Sequence, residues 1–243
     1  MRRGARFAVI CAAAVLALAG CDQQHPQRET PAKPKPAYTG LAELPEHLEA
    51  DGTTITVGDP KASVTVRLYE DPRCPVCEKF ETTGGGPALQ EANLRREAKT
   101  EYTLASFLDD GLGGAGSKKA VNALRAALEE GKFAEYHAVL YANQPEESND
   151  GFTDDFLLEL ATKVDGLRGP TFDKAVRSMK YRDFVATSET AYELAHVPGT
   201  PTVDINNVRI PSESNAVLFD RAAFARLLRE IHEAPWQWDG TQF

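Results

Sequence analysis

The sequence has little cysteine, few histidines and no long apolar run, and each shortage removes a class of function. Four cysteines stand among 243 residues, Cys11, Cys21, Cys74 and Cys77, too few for a disulfide-stapled scaffold. His25, His47, His137, His196 and His232 are scattered, and there is no second Cys-x-x-Cys, so a four-ligand zinc site has no obvious donor set and no metal is expected. No apolar stretch reaches the roughly 20 residues that a membrane-spanning helix requires. Basic residues are outnumbered 27 to 36, for a net charge of −9. Such a surface repels phosphate backbones, and no basic, aromatic-interleaved patch offsets it, so nucleic acid is not an expected partner. Hydrophobic residues make up 42% of the chain, enough for a packed core.

What is present starts at the N-terminus. Arg2, Arg3 and Arg6 precede a 13-residue apolar run from Phe7 to Ala19, the pattern of a secretory signal peptide over residues 1–20. Leu18-Ala19-Gly20-Cys21 resembles the lipobox of bacterial lipoproteins, which implies cleavage before Cys21 and a diacylglycerol on its thiol. Ala17-Leu18-Ala19 also fits ordinary cleavage, but that would leave an odd thiol in an oxidising compartment. Lipidation of Cys21 removes it. The stretch that follows is polar and rich in proline, including Lys33-Pro34-Lys35-Pro36; it cannot order itself by burial and reads as a stiffened tether over residues 21–47. A folded domain is expected over residues 48–235, followed by a tail over 236–243 that holds Trp236 and Trp238.

Within that domain, Thr54–Val57 and the β-branched run Ser63–Tyr69 read as strands. A helical stretch follows Cys74, is interrupted by Gly84-Gly85-Gly86 and restarts at Pro87. Glu101–Leu108 reads as the next strand, which makes a βαβ unit with parallel strands. Apolar spacing of three and four predicts helices over Asn122–Glu130, Phe133–Ala142, Phe156–Val164 and Phe172–Ala195, within a helical insert at about 112–195. Thr202–Ile205 and Val208–Ile210 form a hairpin around Asn206-Asn207, and Val217–His232 closes the domain as an amphipathic helix.

The chemistry centres on Cys74-Pro75-Val76-Cys77. With Cys74 as N-cap and Pro75 in the first turn, the cysteines lie about 5–6 Å apart, a spacing from which a disulfide opens and closes with little backbone motion. The N–H groups and partial positive charge of the helix N-terminus favour a Cys74 thiolate. Thiolate is both the nucleophile and the better leaving group, and Cys77, one turn deeper, would resolve the mixed disulfide. The alternatives are half a zinc site, a static disulfide and coincidence. The first lacks ligands, and the second closes too short a loop to remove much chain entropy.

Three segments extend this reading. Arg67–Cys77, Gly131–His137 running to Ala142-Asn143-Gln144-Pro145, and Val197-Pro198-Gly199-Thr200-Pro201-Thr202 together resemble the DsbA-like branch of the thioredoxin superfamily, over about Thr54 to His232. The resemblance implies an α/β thioredoxin fold, βαβ…ββα, with a helical domain inserted before a cis-proline loop. It implies an attacking Cys74, a resolving Cys77, supporting roles for Pro75 and Val76, and a cis Pro201 after Thr200. No cofactor is implied beyond the redox-active pair itself. The chain departs from the family at one point: the buried carboxylate many members carry six residues before the first cysteine is Leu68 here. Glu70 and Asp71 are the nearest candidates for a proton shuttle, with a solvated turn as the plainer role; His137 reads as a helix-packing residue. Arg73 is expected to stabilise the Cys74 thiolate, and Glu70 and Asp71 to oppose it.

The expected activity is thiol-disulfide exchange with unfolded or thiol-containing exported proteins, in the direction of disulfide formation. The expected setting is the outer face of the bacterial cytoplasmic membrane in the cell envelope, through the lipid anchor, as a monomer that a membrane redox partner resets. A membrane-anchored reductase or isomerase, as in cytochrome c maturation, and a catalytically silent peptide-binding lipoprotein are the alternatives.

Overall fold

The computed structural model describes residues 37–241. Cys21 and most of the expected tether lie outside them. Six strands form one sheet: β1 Glu46–Leu48, β2 Ile55–Gly58, β3 Val64–Glu70, β4 Ala98–Leu104, β5 Thr202–Ile205 and β6 Val208–Arg209, in the spatial order β1-β2-β4-β3-β5-β6. β3 pairs parallel with β4 and antiparallel with β5. Its position between them accounts for the burial of Val64, Val66 and Leu68, which share one face of the strand; Thr65 and Arg67, on the other face, are only half-buried. The βαβ unit and the β5–β6 hairpin thus follow the sequence reading. Asn206 and Asn207 both take positive φ, 48° and 67°, as a two-residue hairpin turn requires.

Helices α1 Pro75–Thr82 and α2 Gly86–Leu94 link β3 to β4. The glycines at their junction, Gly84 and Gly85 between the helices and Gly86 opening α2, allow close approach. A side chain at Gly86 would stand 2.6 Å from the Glu81 Cα, and one at Gly85 would meet the Phe224 ring at the same distance. After β4 come α3 Leu108–Leu112, α4 Gly116–Glu129, α5 Phe133–Tyr141, α6 Asp154–Ala161, α7 Pro170–Arg177 and α8 Arg182–Leu194; α9 Arg221–Glu233 closes the order. Phe80 packs edge-on against Phe224 of α9 at 5.8 Å. Tyr102 of β4 packs on Phe133 of α5 at 5.3 Å, so the insert shares the core of the sheet.

The structure corrects four boundaries. β1 lies inside the expected tether, because it pairs with β2 from Glu46 to Leu48. The strand read as ending at Leu108 stops at Leu104, where the Ala105 N–H turns to the Glu70 carbonyl and the Ser106 N–H to the Glu189 carboxylate. Phe172–Ala195 is two helices: Met179 takes φ 49°, the Lys180 N–H bonds back to the Ala175 carbonyl, and the Asn122 side chain accepts the Tyr181 N–H. The closing helix starts at Arg221, capped by the Asp220 carboxylate on the Ala223 N–H, and Ser212–Phe219 are 3₁₀ turns.

The tail is divided. The Trp238 indole donates to the Ile205 carbonyl at 2.6 Å, whereas Trp236 is 78% exposed. Among the described residues no helix is long and apolar enough to cross a membrane.

Candidate active site

The loop that delivers the first cysteine is clamped from both sides. Asp71, just past β3, is buried, and its carboxylate accepts the Arg73 N–H at 2.9 Å, the Ser117 hydroxyl at 2.5 Å and the Leu108 N–H at 3.0 Å. Its carbonyl accepts the Cys74 N–H. Arg73 is also buried, and its guanidinium binds Asp109 and the Gly113 carbonyl at 2.8 Å and the Glu147 carbonyl at 3.0 Å. Asp109 in turn caps α4 by accepting the N–H groups of Ser117 and Lys118. From the end of α5, the Gln144 amide donates to the carbonyls of Pro72 at 2.7 Å and Cys74 at 3.1 Å.

Cys74 is the N-cap of α1 and Pro75 opens the helix. Its thiol is lowered from 9.0 to about 6. The largest cause is a hydrogen bond from the Cys77 thiol. Burial opposes it, and the Thr200 side chain and the N–H groups of Cys77 and Val76 add to it. Arg73 is not among the five largest of these causes, and its guanidinium is paired with Asp109 at 2.8 Å. Cys77 is fully buried and pushed well above an ordinary thiol, first by burial, then by Cys74 and by the Glu70 charge. The two sulfurs are free thiols, and with Tyr141 they form their own small buried cluster.

Opposite Cys74 stands the Thr200–Pro201 bond, which is cis. The Cys74 Sγ donates to the Thr200 carbonyl at 3.3 Å. A cavity of about 220 Å³ extends from there, lined by Pro198, Gly199, Thr200, Pro201, Ser212 and Asn215 among others. Val76 is 44% exposed and forms an apolar lip beside Cys74.

Behind Cys77 lies a second buried group that the sequence reading did not assemble. Glu70 ends β3, Glu81 projects from α1 and His137 from α5; all three are buried. The Glu70 Oε2 lies 3.0 Å from the His137 Nε2, and the Glu81 carboxyl adjoins both. Burial holds both carboxyls well above the usual range and pushes the imidazole below its own. The three donor sets lie within 4.8 Å of one another, so two carboxylates and an imidazole are also chemically suited to a cation.

A family model described as Thioredoxin matches residues 50–221. The chain belongs to this thioredoxin family. Its fold is the DsbA-like form, with helices inserted between β4 and the cis-proline loop. Oxidised BdbD from Bacillus subtilis is similar, with a TM-score of 0.63 and 20% identity over 82% of this chain and 100% of that one. MdbA, a thiol-disulfide oxidoreductase from Corynebacterium diphtheriae, gives 0.59 and 17% over 79% and 95%. Reduced DsbA from Mycobacterium tuberculosis gives 0.54 and 22% over 77% and 98%. Nothing among curated proteins matches the chain.

Against this thioredoxin frame the expected residues divide clearly. Cys74, Pro75, Val76, Cys77, Thr200 and Pro201 meet at one place. Glu70 and Asp71, neighbours in sequence, part company. Both Asp71 oxygens are engaged in holding the loop, while Glu70 Oε1 is buried without a partner. Sequence reasoning missed Glu81, Tyr141, Gln144 and Ser117. Gln144 stood in the quoted segment but carried no assigned role, and Glu81 looked like one more charge in Glu78-Lys79-Phe80-Glu81.

Proposed function

We propose that the chain exchanges disulfides with exported proteins through Cys74 and Cys77, in the direction of disulfide formation. One observation carries this reading: a Cys74 thiol at about 6, set at a helix N-terminus and facing Thr200 and Pro201. A thiol lowered from 9.0 stabilises the dithiol form once the pH exceeds about 6, by an amount that grows up to pH 9. At pH 7 that favours the dithiol and moves the couple toward a more oxidising potential. Stabilising the reduced product makes the disulfide the better oxidant. Val76 and the cavity lined by Thr200 and Pro201 offer an extended client segment an apolar contact and a groove.

Iodoacetamide should alkylate Cys74 with a midpoint near pH 6 while Cys77 stays unreacted. On the same sample, the potential should lie above the roughly −270 mV of thioredoxin. A potential below that value, or protein recovered from cells mainly as dithiol, would assign it to reduction instead.

The setting belongs to the same proposal. A signal peptide over residues 1–20 and a lipid on Cys21 would place the domain on the outer face of the cytoplasmic membrane, held off the bilayer by the proline-rich tether. Labelled fatty acid should enter the full chain and be lost in Cys21→Ser, with the variant released into the soluble exported fraction. Unchanged membrane attachment in that variant would remove the anchor from the scheme.

A further inference from the structure

On the insert side of the cleft, α8 presents a surface that the exchange chemistry leaves unused. Ser106, Phe107 and Leu108 are consecutive after β4, and Leu108 packs on the buried cluster of Cys74, Cys77 and Tyr141. The Phe107 ring stacks on the Tyr192 ring of α8 at 5.2 Å with 6° between their planes, and both residues are half-buried. The Tyr192 hydroxyl is pushed up to about 12, first by burial, then by the charges of Glu189, Asp71, Cys77 and Cys74, so it lies toward the exchange centre. Beside this stack, at Ser106 and Glu189, a cavity of about 350 Å³ begins, and Met179, Val185 and Ala186 give it an apolar floor. Arg182, Ala186, Glu189 and Tyr192 recur at spacings of four and three and share one stripe of the helix. At the helical rise, that stripe runs about 9 Å from Tyr192 to Ala186 and about 15 Å to Arg182.

The charges bordering this groove are answered except at its far end. Lys118 pairs with Asp110 at 2.7 Å. The Glu189 carboxylate accepts the Ser106 N–H and, at 3.0 Å, the Ser106 hydroxyl. Arg182 is exposed, and its guanidinium donates to the Met179 and Ser178 carbonyls. Among the described residues no carboxylate pairs with it. Arg182 also opens α8, where the helix already carries partial positive charge and a cation is unfavourable. An apolar floor that ends at an unanswered positive charge suits a chain that is apolar first and acidic beyond.

We propose that the α8 groove is a second client subsite, which takes an extended segment carrying an aliphatic side chain and, about two residues farther from the client cysteine, a carboxylate. The proposal rests on the exchange reading above and names the class of client that reading favours. An extended chain advances about 3.3 Å per residue, so it reaches Ala186 roughly three residues, and Arg182 roughly five, after passing the Phe107–Tyr192 stack. The aliphatic side chain covers Val185 and Ala186, and the carboxylate supplies the counter-charge that Arg182 lacks. Because Gln144 ties the insert to the Cys74 carbonyl, the groove and the nucleophile keep a fixed separation, and the subsite measures the distance from client cysteine to client acid.

The test uses Cys77→Ser protein carrying glutathione on Cys74 and a set of serine-rich peptides with one cysteine each. A peptide thiolate attacks the Cys74 sulfur, the bond to glutathione breaks, and glutathione leaves as thiolate; acid quenching and intact mass give the exchange equilibrium. A Leu-Ser-Asp cassette, with Leu nearer the cysteine, is moved stepwise away from that cysteine on either side. One spacing should favour the peptide adduct about tenfold over the all-serine peptide. Ala186→Glu, which puts a carboxylate on the floor, should remove that peak. Arg182→Glu should cost the Asp cassette about threefold and favour Lys in its place. Both positions are exposed on α8, and circular dichroism checks the fold; the charge reversal at Arg182 reads the subsite by itself if Ala186→Glu is unfolded. A flat profile on both sides of the cysteine, or a peak that Arg182→Glu leaves unchanged, would overturn the groove as a subsite. Failure of even glutathione to load Cys74 would sink the exchange reading itself, a separate result.

Discussion

Cys74→Ser should reduce catalysed oxidation of a dithiol client to the solution background, a fall of at least about a thousandfold. A serine hydroxyl keeps nearly the size of the thiol and its hydrogen bonds at the start of α1, but it forms no disulfide with the client and is not ionised near neutral pH. Cys77→Ser should behave differently. The attacking thiol survives, its largest stabilising hydrogen bond is a thiol donor that a hydroxyl replaces, and mixed disulfides should accumulate on Cys74 because nothing resolves them. The pair of variants separates exchange from passive peptide holding: a binding lipoprotein would lose neither its clients nor its phenotype in Cys74→Ser. Refolding of a reduced, unfolded protein, with intact mass of the trapped adducts, reads both outcomes.

Asp109→Ala should cost about 3–5 kcal/mol of stability, because it leaves the Arg73 charge buried with only carbonyl partners. The two side chains are 3% and 0% exposed and meet at 2.8 Å. Asp109 also caps α4 through Ser117 and Lys118, so the same change strips the first turn of that helix of an acceptor. For a domain of this size the loss corresponds to a fall in Tm of roughly 6–20 °C, measurable by circular dichroism. Arg73→Met in the Asp109→Ala background should recover much of it, since an apolar pair of similar volume needs no counter-ion. A loss below about 1 kcal/mol would mean that the charge finds solvent or another partner.

The sequence carried the architecture where composition and geometry agree. The buried β3 announced itself through Val64, Val66 and Leu68, the hairpin through its paired asparagines, and the exchange centre through two cysteines one turn apart beside a first-turn proline. It was silent where a distant residue decides. The break between α7 and α8 contains neither glycine nor proline; it depends on Met179 taking φ 49° and on Asn122, nearly 60 positions earlier, accepting the Tyr181 N–H. Arg73 read as a cation beside the thiolate, and its partner Asp109 lies 36 residues on. Glu70 looked like part of a solvated turn, because only the packed fold brings the α5 histidine over the end of β3. Periodicity reports which face of an element is buried; it does not report what that face meets.

The Gln144 amide has a mechanical consequence. By donating at once to the Pro72 and Cys74 carbonyls, one side chain rivets the inserted helices to the start of α1, so that wall of the cleft moves as a single piece with the nucleophile. The facing wall is made of turns instead, around Pro198–Pro201 and Ser212–Phe219. Clients of different shape would then be accommodated by adjustment on that side alone, with the sulfur kept as a stationary anvil.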